Sequence, residues 1–115
     1  MIPGLEVHLA TLAASGQTTT YGTLARDLGL TGPNTIAQLT EALEALMDQD
    51  AAANYPLRAV LLTAKGSTLP AQGFFQKAAA LGRFHGTDQA QFIAAERQAL
   101  NTFTLAQILH GGPGV

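Results

Sequence analysis

Apolar residues at helical spacing, cut at short intervals by glycine and proline, constrain the fold of this chain more than any other feature. From Tyr21 to Leu30 the apolar positions Tyr21, Leu24, Ala25 and Leu28 fall at i, i+3, i+4 and i+7, one face of a helix, and Gly29 closes it. After Leu30-Thr31-Gly32, Pro33 opens a second helix that runs to Asp48, with Ile36, Leu39, Leu43, Leu46 and Met47 on its apolar face. Two helices across a short glycine-containing turn make a helix-turn-helix unit. An earlier helix is expected over residues 5–14, between Pro3 and Ser15-Gly16, with Leu5, Val7, Leu9 and Leu12 as its apolar positions. The link Gln17-Thr18-Thr19-Thr20 favours extended backbone because its threonines are β-branched.

The pattern changes at Asp50. Pro56 disfavours helical geometry at Tyr55, and Val60-Leu61-Leu62 predicts a short buried strand within residues 57–63. Lys65-Gly66-Ser67 has turn chemistry, and Thr68-Leu69 is expected to return as a second strand before Pro70 ends it. Two more helices are expected over residues 73–81 and 87–100, joined by Gly82-Arg83-Phe84-His85-Gly86, with a further helical turn over residues 105–109 and a frayed tail from His110. Phe74, Phe75 and Phe84 are expected to pack this C-terminal part onto the rest. The reading is one α+β domain in winged-helix order, that is, a helix-turn-helix plus a β-hairpin, with additional C-terminal helices. Residues 1–76 form the winged helix and residues 77–115 a helical extension of the same domain.

Composition narrows the function. The chain is 47% apolar but only 12% charged, against about 25% charged in an ordinary globular protein. That balance excludes disorder, and no apolar run approaches the roughly 20 residues of a membrane span. Met1-Ile2-Pro3-Gly4 has neither a basic leader nor a long apolar stretch, so no signal peptide and a cytoplasmic location are expected. With no cysteine there is no disulfide, thiolate metal site or thiol nucleophile. Charge is divided unevenly. Residues 1–57 hold one base, Arg26, against six acids, whereas residues 58–115 hold five bases against Asp88 and Glu96. Between Arg58 and Arg83 lie four bases and no acid, the stretch a polyanion meets first.

Four segments together resemble the winged-helix domain of the alkylguanine-DNA alkyltransferases: Thr20-Tyr21-Gly22-Thr23-Leu24-Ala25, Gly29-Leu30, Pro56-Leu57-Arg58-Ala59-Val60 and Lys65-Gly66-Ser67-Thr68-Leu69-Pro70. The resemblance is closest to the alkyltransferase-like proteins, which lack the acceptor cysteine. It covers about residues 5–76, with a longer connection before Pro56. In that family a tyrosine at the start of the first helix of the helix-turn-helix lies against the DNA backbone and target base, and Tyr21 matches it. The family's arginine finger aligns with Ala37 and is therefore missing. At the active-site signature Leu57 stands at the cysteine, Arg58 at the histidine and Ala59 at the arginine, with Pro56 and Val60 retained. Alkyl transfer needs an activated thiolate, so no enzymatic activity is expected.

The resemblance implies a non-enzymatic DNA-binding or DNA-associated protein. Arg58 and Lys65, with Lys77, are the phosphate candidates, and Tyr21, Asn34, Thr35 and Gln38 the residues at the groove. So few bases imply weak, salt-sensitive binding to double-stranded DNA. Glu41, Glu44 and Asp48 on the second helix of the unit would repel phosphates. The competing expectation is a protein-interaction or homodimerisation module on the same scaffold, without nucleic-acid contact. A third is a small-molecule pocket between Tyr21, Arg58 and the hairpin. His8, His85 and His110 lack the spacing of a metal motif, and no metal, cofactor or membrane partner is expected.

Overall fold

The computed structural model describes residues 2–110, with the side chain of His110 excepted, so most of the tail expected from His110 lies outside the described residues. In chain order the elements are α1 (Leu5–Ser15), β1 (Thr19–Thr20), α2 (Tyr21–Asp27), α3 (Thr35–Ala52), a short 3-10 helix (Arg58–Leu61), β2 (Leu62–Thr63), α4 (Gln72–Ala80) and α5 (Gln89–His110). The protein is mostly helical with a small two-stranded parallel sheet, an arrangement compatible with the α+β class.

Local chemistry sets each boundary. Leu5, Leu9 and Ala13 are the buried stripe of α1, and Val7, expected on that face, is 73% exposed. Thr20 caps α2, its Oγ1 accepting the Thr23 N–H at 3.2 Å, an arrangement that contributes about 1 kcal/mol. Helix α3 begins at Thr35 because Asn34 adopts a left-handed conformation with φ 65°, which leaves Pro33 in the turn. It runs four residues beyond Asp48 and closes with Asn54 in the left-handed region, where the Tyr55 N–H meets the Asp50 carbonyl at 2.8 Å and the Asn54 N–H meets Ala51 at 3.1 Å. Those two bonds satisfy the last carbonyls of the helix. Helix α5 is continuous over the two segments expected separately, because Asn101-Thr102-Phe103-Thr104 contains no glycine or proline to interrupt it.

The expected hairpin is the main departure. Residues 58–61 coil into the 3-10 helix, and only Leu62–Thr63 is extended. The partner of this strand is β1, pairing Thr19 with Leu62 and Thr20 with Thr63 in parallel, while the link to Thr68-Leu69 is reduced to an Ala64 N–H to Leu69 carbonyl bond of 2.8 Å. A short apolar run has no period that separates strand from buried helix. Here the backbone donors at its start are captured by carboxylates from elsewhere in the chain.

One core joins the helix-turn-helix to the C-terminal helices: Leu9, Leu24, Leu39, Leu46, Leu62 and Ile93 are all buried within it. Phe74, Phe75, Phe84 and Phe92 form a closed aromatic ring, with neighbouring centroids 5.0 to 6.4 Å apart, fastening α4 and the following turn to α5. Among the described residues no helix is long and apolar enough to cross a membrane. Leu46 is fully buried, so Leu46→Ala should cost about 2–5 kcal/mol in urea denaturation. Val7→Ala should stay within about 0.5 kcal/mol of the parent chain.

Candidate functional site

Asp50 continues the apolar stripe of α3, three residues after Met47, and is only 2% exposed. A carboxylate so placed needs partners, and Arg58 supplies three. Its backbone N–H donates to Oδ2 at 2.9 Å, its Nε to Oδ1 at 3.0 Å, and its Nη2 lies 3.0 Å from Oδ1. Arg58 Nη1 then donates to Glu6 of α1 at 2.8 Å. Burial opposes the charge of Arg58, but the hydrogen bonds to Asp50 and Glu6 outweigh it and hold its pKa above the ordinary value.

A second pair mirrors the first. Glu96 of α5 accepts the Leu57 N–H at 3.1 Å and Arg83 Nη2 at 2.9 Å, while Arg83 Nη1 donates to the Tyr55 carbonyl at 2.8 Å. Two carboxylates, one from α3 and one from α5, therefore hold successive N–H groups at the start of the 3-10 helix, where helical donors lack partners and negative charge is favoured. At the other end of the same helix Arg97 Nε donates to the Val60 carbonyl at 2.7 Å.

The residues expected to meet DNA have different surroundings in the structure. Arg58 sits in the ion-pair cluster rather than at a wing. Tyr21 is half-buried, and its hydroxyl accepts the Ala71 N–H at 3.3 Å, tying the start of α2 to the start of α4. Burial raises its pKa, an effect the Ala71 bond partly opposes. Asn34 and Gln38 are exposed around the first turn of α3, Thr35 is half-buried there, and Lys65 is exposed in the turn after β2. Lys77 is bound to Asp48 at 2.8 Å, which with Asp48's hydrogen bond raises its pKa. Tyr21 and Arg58 line different cavities, so the pocket expected between them does not form as one space.

What the fold builds instead is a groove of about 200 Å³ between α1 and α5, walled by Leu9, Ala13, Tyr55, Leu100 and Phe103, with Asp50 and Arg58 at its edge. Tyr55 and Phe103 pack at a tilt of 41° with centroids 5.0 Å apart. Sequence reading missed Asp50, Glu96, Glu6 and Arg97. For Asp50 a signal existed, since an acid on an apolar helical stripe demands a buried cation. For the others none did, because their partners lie 13 to 52 residues away. Among the described residues no cluster of three His, Asp or Glu side chains is placed to hold a metal ion.

No protein-family model, curated protein or solved structure matches this chain.

Two consequences are measurable. Asp50→Ala strands Arg58 and its backbone N–H and should cost about 3–5 kcal/mol by urea denaturation, against at most about 1 kcal/mol for the more exposed Glu6→Gln. Tyr21 is an acid whose pKa is raised by folding above its ordinary 10.0, so the unfolded chain loses its proton first and stability falls as pH rises beyond that value. Tyr21→Phe should lower stability near neutrality by about 0.5–1.5 kcal/mol and show a smaller further loss in alkaline solution, followed by denaturation at several pH values.

Proposed function

We propose that this chain is a non-enzymatic interaction module on a helix-turn-helix scaffold, and that its partner is a second copy of itself. The observation that carries the proposal is the uncharged stretch Gln98 to Leu109 on α5, twelve residues without an acid or base. On this stretch Leu105, Ile108 and Leu109 form an outward stripe exposed by 39%, 60% and 72%. A twofold interface covers one surface with its own copy, and an apolar stripe without neighbouring ionic groups is covered with no charge to desolvate.

The internal use of the bases supports the same reading. Arg58, Lys77 and Arg83 are in ion pairs with the protein's own carboxylates, and Arg97 is bonded to a backbone carbonyl. Arg26 and Lys65 remain outside ion pairs among the described residues, too few for strong attraction to a polyanion. One observation favours the second reading, weak binding to duplex DNA in the manner of alkyltransferase-like proteins. The α2–turn–α3 unit leaves Asn34 and Gln38 exposed at the start of α3, and Lys65 is exposed as well. Two free cations imply a salt slope of about −2 for log K against log salt.

Light scattering coupled to size-exclusion chromatography across a range of concentrations should give twice the chain mass. Ile108→Glu combined with Leu109→Glu should return it to a monomer with unchanged circular dichroism, since both side chains are exposed. A parent chain that stays monomeric at every concentration overturns the proposal. Fluorescence anisotropy with duplex DNA at low salt tests the second reading; binding abolished by Lys65→Glu but retained by the Ile108 and Leu109 variant would establish it instead.

A further inference from the structure

Among the described residues Arg97 is the arginine that the fold withdraws from water without giving it a carboxylate. Arg58 and Arg83 are held by Asp50, Glu6 and Glu96, and Arg26 is exposed. Arg97 donates through Nε to the Val60 carbonyl, but its Nη2 is buried with no hydrogen-bond partner. Burial accordingly lowers its pKa. A guanidinium has five N–H donors in a planar fork, and a buried donor left unmade is costly, more so on a charged group.

Arg97 lines a groove of about 460 Å³ between the C-terminal end of α1, the link to β1, and α5. The volume falls in the range of small-molecule sites. Ser15, Gln17, Thr18, Gln98 and Asn101 contribute neutral polar groups, and Arg97 is the only charged residue in the lining. The carbonyls at the end of α1 bring partial negative charge to this groove, and those of Leu12 and Ala13 are already covered. Ala13 accepts from the Gly16 N–H and from Asn101 Nδ2, and Leu12 accepts from the Gln17 N–H and the Ser15 hydroxyl. Arg97 thus carries the only full charge in the groove lining.

We propose that this groove is a binding site for a small oxyanion-bearing molecule, a carboxylate or a phosphate, drawn by the charge of Arg97, which no carboxylate of the protein neutralises, and hydrogen-bonded by the neutral polar groups of the lining. A guanidinium suits either group through its charge, which strengthens any hydrogen bond that an oxyanion accepts. Nε keeps its bond to Val60 throughout, so the 3-10 helix anchors the arginine beside the ligand. This site goes beyond self-association and does not rest on it.

The test is a nitrogen-edited NMR titration of the full chain with sodium acetate, sodium citrate and sodium phosphate, each at ionic strength matched with sodium chloride. It is run on the parent chain and on the Ile108→Glu, Leu109→Glu chain so that association plays no part. At least one of the three anions should give saturable shifts of the Arg97 Nε–H signal and of the Ser15 to Thr18, Gln98 and Asn101 amides, with α2 and α3 unmoved. Arg97→Gln should abolish saturation. Because that change also removes the Val60 bond, Gln98→Glu is the second variant: it sets a negative charge in the groove lining, leaves Nε bonded and the melting temperature near that of the parent, and should weaken binding at least tenfold. Which anion saturates identifies the ligand class. Shifts that only track chloride, or saturation unchanged by Gln98→Glu, overturn the assignment.

Discussion

The structure depends on the capture of two consecutive backbone N–H groups, those of Leu57 and Arg58, by the carboxylates of Glu96 and Asp50. The four-residue helix that follows has too few internal hydrogen bonds to stand alone. Carboxylates at its start and Arg97 at its end complement its dipole and hold it in place. Helices α1, α3 and α5 all pack against it, and β2, its direct continuation, finds β1 as partner. Residues 57–63 become the point where the N-terminal and C-terminal parts of the chain meet.

Scarcity of charge takes on a structural meaning from this arrangement. A chain with few ionic groups that directs most of its bases inward retains an outer surface of alanine, glutamine, threonine and scattered aliphatics, especially on α5. In the self-association proposed for this protein, such a surface meets another uncharged one. Arg97 stands apart from that economy: its Nε stabilises the 3-10 helix, its Nη2 is buried without a partner, and its charge borders a polar groove with no carboxylate against it.

The helices were legible because each has a local cause. The stripe Leu24 and Ala25, the stripe Leu39, Leu43, Leu46 and Met47, and the glycines after α1 and α2 belong to elements that form where the spacing places them. The strand pairing was not legible. Val60-Leu61-Leu62 satisfies strand and buried helix equally, and the choice came from Asp50 and Glu96, residues 8 and 39 positions from the donors they hold. Tyr21 and Arg58 show the same limit at the candidate site. The resemblance marked Tyr21 and the charge pattern Arg58, but neither disclosed that the backbone of Ala71 engages the one and two carboxylates the other.

By itself the sequence determined a mostly helical chain with a helix-turn-helix unit, no thiol chemistry and little charge, since helical spacing, breakers and composition act over a few residues or over the whole chain at once. The tertiary structure decided where the charges go. An ion pair depends on which side chains arrive within about 4 Å of one another, and no local pattern encodes that for Glu6 and Arg58 or for Leu57 and Glu96. Folding turned the basic segment into an internal brace, left α5 with an uncharged outer stripe, and placed one unpaired arginine beside a groove.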